Sequence, residues 1–358
     1  MRNMENCNRL VVSRASTAIY LILSAEGIRS RKVVVPANLC YAAIYPIIYS
    51  GNTPLFCDVD SDSGNTNWEL ISDSIRRSED NDVAAIILPH MYGKCIPKHD
   101  IEEISENCRR NNILLIEDCA SSLGSHNCDL IAGSIGDYAI YSFGYSKTID
   151  LGSGGMLTSC KDISRIKDLY CTLPPVTEED HDNEHFYSRL YRLIRNNPQQ
   201  DLGRCIWRSL LPEMKGVFVN RSDDVVLEKR INDRFDHPEE YISKRRDQQK
   251  KYCSMIKWND HIRPYVYEDG DVPWRFSFFV DPDIRRDLID HLLGAGVPIS
   301  DWYPIVTPIF GIDNSTEDLS LAFPGAYYMQ ERLLNLPVCV DDVCIKKYTD
   351  AVNAFFEG

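Results

Sequence analysis

Five short apolar runs, Val33-Val34-Val35, Leu55-Phe56-Cys57, Val83 to Leu88, Ile113 to Ile116 and Tyr138 to Tyr141, recur through the first 150 residues with helix-patterned stretches between them. Each is too short and too uniformly apolar to be an amphipathic helix, so each reads as a strand buried on both faces. Ser16 or Thr17 is placed to cap a helix through Ile19 to Leu23, and Asp100 to cap another through Ile101 and Ile104. Strand and helix in alternation predict a doubly wound, mostly parallel α/β sheet, whose ligands collect beyond the carboxyl ends of the strands. Asp118 and the loop before Ser16 fall at such ends.

The residues able to do chemistry concentrate there too. Glu117-Asp118 closes one apolar run, and Lys147 follows Tyr141-Ser142-Phe143-Gly144-Tyr145-Ser146, 29 positions after Asp118 and shortly before Gly152-Ser153-Gly154-Gly155. A buried amine can form a Schiff base with an aldehyde cofactor, and a carboxylate at a strand end can hold a pyridinium nitrogen protonated, making the ring an electron sink. Together Lys147 and Asp118 read as a pyridoxal phosphate site. Singly, each has a plainer explanation: a turn or cap for the aspartate, a snorkelling surface chain for the lysine, a flexible turn for the glycines.

With 358 residues, 44% of them hydrophobic, the chain can bury a large core and form two domains. A net charge of −14 argues against binding a nucleic-acid backbone. The thirteen cysteines are scattered and never spaced C-x-x-C, which points to reduced thiols in the cytoplasm rather than a disulfide framework. Met1 to Asn8 carries no apolar signal segment, and no run approaches the ~18 apolar residues of a membrane span. None of the eight histidines stands at metal-ligand spacing from Cys or Glu, so no metal is expected.

From about residue 177 to 233 the alternation loosens. Glu178 to Asp182 is a solvated acidic run and Tyr187 to Ile194 an amphipathic helix, together a helical insertion within a large domain spanning 1–235. A polar helix rich in Lys and Arg from Arg245 to Lys251 then opens a smaller α+β domain, 236–358. There Phe276 to Val280 is a strand, Pro282 to Leu293 a helix stopped by Gly294 and Gly296, and Tyr327 to Leu334 a further helix.

Further ordered motifs resemble the DegT, DnrJ and StrS sugar aminotransferases, enzymes of the fold-type I pyridoxal phosphate architecture. Pro36 to Cys40, then Gly51 and Pro54-Leu55-Phe56-Cys57-Asp58-Val59-Asp60, resemble that family's strand, loop and P-x-F-x-D-V-D segment. Pro89-His90-Met91-Tyr92-Gly93 is similar to its H-x-Y-G loop. Ile116 to Gly124, Gly133 to Asp137 and Ser142 to Lys147 follow in the family's order, as do Trp302-Tyr303-Pro304 and Leu334-Asn335-Leu336-Pro337.

The resemblance implies that Lys147 carries the cofactor and moves the proton, that Asp118 pairs with its ring nitrogen, and that Ser142 with the amides of Ala15 and Ser16 holds its phosphate. It places Cys40 where an aromatic residue commonly flanks the ring, with Tyr41 adjacent, and Ser121 on the other ring face. Asn220, followed by Arg221, is its candidate for the residue that reaches a partner subunit's phosphate. His90, Tyr303 and Arg275 are the candidates for contacting substrate, against plainer readings of His90 as a satisfied loop histidine, Tyr303 as core packing and Arg275 as a surface salt bridge rather than a cation for a nucleotide diphosphate. The implied activity is transfer of an amino group, with glutamate as donor, to a keto group of a nucleotide-linked sugar by a homodimer. A dehydratase or other amine chemistry on the same cofactor, and a non-catalytic scaffold that kept the fold, stand as alternatives.

Overall fold

The computed structural model describes residues 7–78, 82–195, 200–310 and 318–357. Met1 to Asn6, most of the stretch read for a signal segment, lies outside them.

The five expected strands form, and two more join them. The strands are β1 (Asn8–Val12), β2 (Lys32–Pro36), β3 (Thr53–Cys57), β4 (Val83–Pro89), β5 (Leu114–Asp118), the short hairpin β6 (His126–Asn127) and β7 (Leu130–Ile131), β8 (Tyr138–Ser142) and β9 (Gly155–Ser159). Apart from the hairpin they make one sheet in the order β1-β9-β8-β5-β4-β2-β3. Pairing is parallel from β3 through β8, and β9 runs antiparallel to both its neighbours.

Alternation along β2 sends Val33 and Val35 into one core and Val34 into the other, so the sheet is covered on both faces. Helices α1 (Ala15–Ala25), α2 (Tyr45–Tyr49) and α5 (Ser164–Thr172) pack on the first face, and α3 (Trp68–Arg77) and α4 (Lys98–Arg110) on the second. The expected caps are corrected. Arg14 is the N-cap of α1 and makes no side-chain cap, while Ser16 and Thr17 sit in the first turn with their hydroxyls donating to the carbonyl of Phe218, at 2.8 and 3.2 Å. Likewise α4 starts at Lys98, and Asp100 lies in its first turn, where a carboxylate still favours the positive helix end.

The insertion is more helical than expected. Its acidic run forms the start of α6 (Glu178–Arg195), which packs against α7 (Gln200–Phe218) before α8 (Val225–Asp236). Tyr191, Trp207, Met214 and Phe218 join the first-face core, so the insertion is anchored by burial. Past α9 (Glu239–Met255), strands β10 (Ile262–Pro264), β11 (Phe276–Val280) and β12 (Leu333–Leu336) form a separate antiparallel sheet with its own apolar cluster. The helix expected over Tyr327 to Leu334 spans Pro324–Arg332 instead. Leu333 to Leu336 leave it to pair with Phe279 to Phe276, because both faces of that stretch are buried.

Candidate functional site

Pairing of β4, β5 and β8 brings Pro89, Asp118 and Ile140 into one row at the carboxyl edge of the sheet. A small cavity opens there, lined by Cys40, His90, Asp118, Ser121, Lys147 and Tyr303 among others. The Lys147 amine reaches the Ser121 hydroxyl at 3.4 Å and lies 5.8 Å from the centre of the Trp274 ring. Tyr303 stacks on the same indole, ring centres 5.0 Å apart, and its hydroxyl faces Ser121.

Burial pushes the Lys147 amine below its ordinary range, against the fields of Cys40 and Asp118 and helped by Arg245. A neutral amine is the form that attacks a carbonyl or takes a proton. Burial pushes the Asp118 carboxyl up, opposed by the Ala120 amide, 2.9 Å from Oδ1, and by Lys147. No further donor reaches it among the described residues. A buried carboxylate with one hydrogen bond is under-satisfied, and a cationic ring nitrogen in the cavity would complete it.

The residues expected to hold a phosphate lie at the carboxyl end of β8 and the start of α1. Ser142 pairs with Gly155, and Gly155 with Val12, so these strands set the start of α1 next to Ser142. A Cβ on Gly155 would stand 2.3 Å from Arg14 C and 2.4 Å from Ala15 N, an approach only glycine permits. No side chain caps α1, which leaves its first-turn amides, those of Ala15 and Ser16 included, without that partner, and an uncapped helix start suits a phosphate. The residues present therefore fit a pyridine aldehyde with a phosphate tail.

Several expected contacts are not made. His90 is buried with both nitrogens engaged: Nδ1 accepts from the Ile96 amide at 3.0 Å, so Nε2 carries the proton and donates to Glu117 at 3.0 Å. It has no polar atom left for substrate. Glu117 also accepts from the amides of Gly133, Ile135 and Gly136, which leaves the His90, Glu117 and Cys119 cluster without the lone pairs a metal would need. Tyr41 turns away from the cavity into an aromatic cluster with Tyr191, Tyr45, Phe218 and Trp302. Asn220 is buried within its own chain beside α1, donating to Gly216, while its carbonyl accepts from Ser13. Arg221 is engaged with Asp223 and the Cys171 carbonyl. Arg275 stands half-buried, its guanidinium 5.6 Å from the Trp274 ring centre.

Two residues of the site went unread in the sequence. Trp274 supplies the wall behind Lys147 and Tyr303, and its only signal was its place beside Arg275. Arg245, taken as one of a run of surface cations, is buried under the lysine loop. Its signal would have been helical phase, since it shares the inward face of α9 with Gln248 and Tyr252.

Sheet order and edge constellation define a fold-type I α/β protein, and solved structures show the same fold. The aminotransferase TlmJ from Streptoalloteichus hindustanus superimposes with a TM-score of 0.73 at 20% identity, over 98% of this chain and 86% of that one. A GDP-4-keto-6-deoxymannose-3-dehydratase with bound GDP-perosamine gives a TM-score of 0.65 at 20% identity, over 96% and 88%. Residues 4–171, which hold all seven strands of the sheet and Lys147, match the model of the DegT/DnrJ/EryC1/StrS aminotransferase family. GDP-perosamine synthase of Escherichia coli O157:H7 is 37% identical over 149 residues, 41% of this chain and 39% of the relative. A dTDP-4-dehydro-2,3,6-trideoxy-D-glucose 4-aminotransferase of Saccharopolyspora spinosa is 26% identical over 323 residues, 89% of this chain and 76% of the relative. The alignments span about 40% of the length of the first curated relatives.

Proposed function

We propose that this protein is a pyridoxal-phosphate-dependent aminotransferase that moves an amino group from glutamate to a keto group of a nucleotide-linked sugar. The observation that carries the reading is that Lys147 and Asp118 line one cavity at the carboxyl ends of the strands. Bound there, the cofactor would supply a carbonyl for amine exchange and a ring that delocalises the electrons left on the substrate carbon.

The chain's own residues supply the rest. Lys147, whose ammonium form burial disfavours, would take up a proton and give it back at Nζ. Asp118 holds its carboxylate where a protonated ring nitrogen completes its hydrogen bonding. Ala15, Ser16 and Ser142 orient the phosphate, and Tyr303 with Trp274 walls the amine from water. Arg275, 5.6 Å from the centre of that indole, would meet an anionic part of the substrate.

A homodimer, a division into a large unit, 1–235, and a smaller one, 236–358, and a cytoplasmic setting belong to the same reading. Tyr145, two residues before the lysine, is 74% exposed, a large aromatic surface for a second copy to cover. None of the thirteen cysteines is in a disulfide. No helix among the described residues is long and apolar enough to cross a membrane.

The test is the near-visible absorbance of the purified protein with added cofactor, before and after glutamate, beside Lys147→Ala. A lysine-dependent band that glutamate converts supports the reading. The absence of any band with cofactor present would leave only the scaffold alternative, and a band indifferent to glutamate would redirect the search to other donors or to dehydration.

A further inference from the structure

Arg245 sits on a helix whose neighbours Lys244 and Asp247 face solvent, yet it is only 2% exposed. A buried guanidinium is costly unless its N–H groups are satisfied, and no carboxylate pairs with this one among the described residues. Its donors go instead to backbone carbonyls of two separate segments. Nε reaches Thr148 at 3.4 Å, and Nη2 reaches Ser146 at 3.3 Å and also Lys147 itself. Nη1 reaches Pro273 at 3.2 Å and also Trp274.

The lysine loop needs such a fastening. Ser146 holds a left-handed φ of 64°, an unfavourable conformation for a residue with a Cβ. The Asp150 carboxylate fixes the amide side of Ser146 at 2.8 Å, and Arg245 fixes the carbonyl side. The same fork grips the segment that carries the indole against which Lys147 lies.

We propose that Arg245 is a positioning residue that locks the Lys147 loop to the Pro273-Trp274 segment and so sets where the lysine amine stands relative to Asp118. The proposal rests on the reading of Lys147 as the cofactor lysine. Five carbonyl acceptors spread over two segments suit the forked donors of a guanidinium and not an ammonium, so lysine at 245 would preserve the charge and lose the grip.

The charge has a separate effect. The groups facing the Lys147 amine are Asp118 from β5, Cys40 from the loop after β2, Ser121, Tyr303, the Trp274 ring and Arg245 from α9. Arg245 is the cation among them and disfavours a second. Its removal therefore moves protonation of Lys147 to higher pH.

The experiment uses the full chain, Arg245→Met and Arg245→Lys. Backbone amide exchange is followed over 144–151 and 273–276, and pyridoxal phosphate is trapped on Lys147 by borohydride across a pH series and quantified by peptide mass. In Arg245→Met both segments should exchange faster together, on the order of 10-fold, and the trapping midpoint should move to higher pH. Arg245→Lys should loosen both segments and leave the midpoint near that of the parent. Unchanged exchange in both variants would overturn the proposal. So would exchange that rises equally in β4, which would make Arg245 an ordinary packing residue. If the parent protein is not trapped at Lys147, the functional reading fails, while the exchange data still decide whether Arg245 locks the loop.

Discussion

His90 donates its Nε2 proton to Glu117 at 3.0 Å, and that carboxylate also accepts three backbone amides from the loop after the β6–β7 hairpin. Glu117 is thus the fastening between β4, β5 and that loop, while its neighbour Asp118 is left for the cavity. Replacing Glu117 by Gln puts an NH2 group where two donors already point. The variant should lose about 3 kcal/mol of stability, measured by urea unfolding with cofactor absent. A loss under 1 kcal/mol would show that the loop does not depend on the charge.

The same carboxylate sets an acid limit. Burial opposes ionisation of Glu117, but the hydrogen bonds from His90 and the amides outweigh it and hold its pKa below the ordinary range. Its contribution is therefore complete above the unfolded value, about 4.3, and is lost as pH falls through the lower folded value. Stability of the parent should fall on acidification below about pH 4 with a steeper slope than that of Glu117→Gln. Parallel slopes would remove Glu117 as the source.

Much of this architecture was legible because buried parallel strands announce themselves as short apolar runs, and Lys147 and Asp118 lie at the ends of two of them. What escaped depended on contacts made far along the chain. β9 starts at Gly155, the last residue of a stretch that reads as a turn between strands, and its bounds are set by Ala139 to Ser142 and Asn8 to Val12, which flank it. His90 looked available for substrate because nothing local reveals that the Ile96 amide and Glu117 consume its two nitrogens. Arg245 sat in a run of cations, and only the folded chain shows its guanidinium meeting carbonyls about 100 residues away.

Gly155 offers a test of the phosphate cradle that leaves the lysine untouched. A methyl group there meets Arg14 and Ala15 backbone at under 2.5 Å, so the start of α1 must move away from Ser142. Gly155→Ala should cost about 1–3 kcal/mol of stability, as overpacking does. It should also weaken pyridoxal phosphate binding well beyond that of pyridoxal, which lacks the phosphate, as read by equilibrium dialysis. Equal losses for both ligands would place the phosphate elsewhere.

Asp118 and Arg245 act on the Lys147 amine with opposite sign, which gives the site a pH signature. The Asp118 carboxylate favours the ammonium form, and Arg245 disfavours it. In the protein free of cofactor, Asp118→Asn should therefore let an amine-acylating reagent modify Lys147 at lower pH than in the parent, whereas Arg245→Met should require higher pH. In the loaded protein the Asn variant should still retain cofactor on Lys147, but turnover should fall on the order of 100-fold, because a neutral amide cannot hold the ring nitrogen charged. The two midpoints moving in the same direction would break the electrostatic account of the lysine. Full turnover by Asp118→Asn would instead break the assignment of the carboxylate, whichever way the midpoints moved.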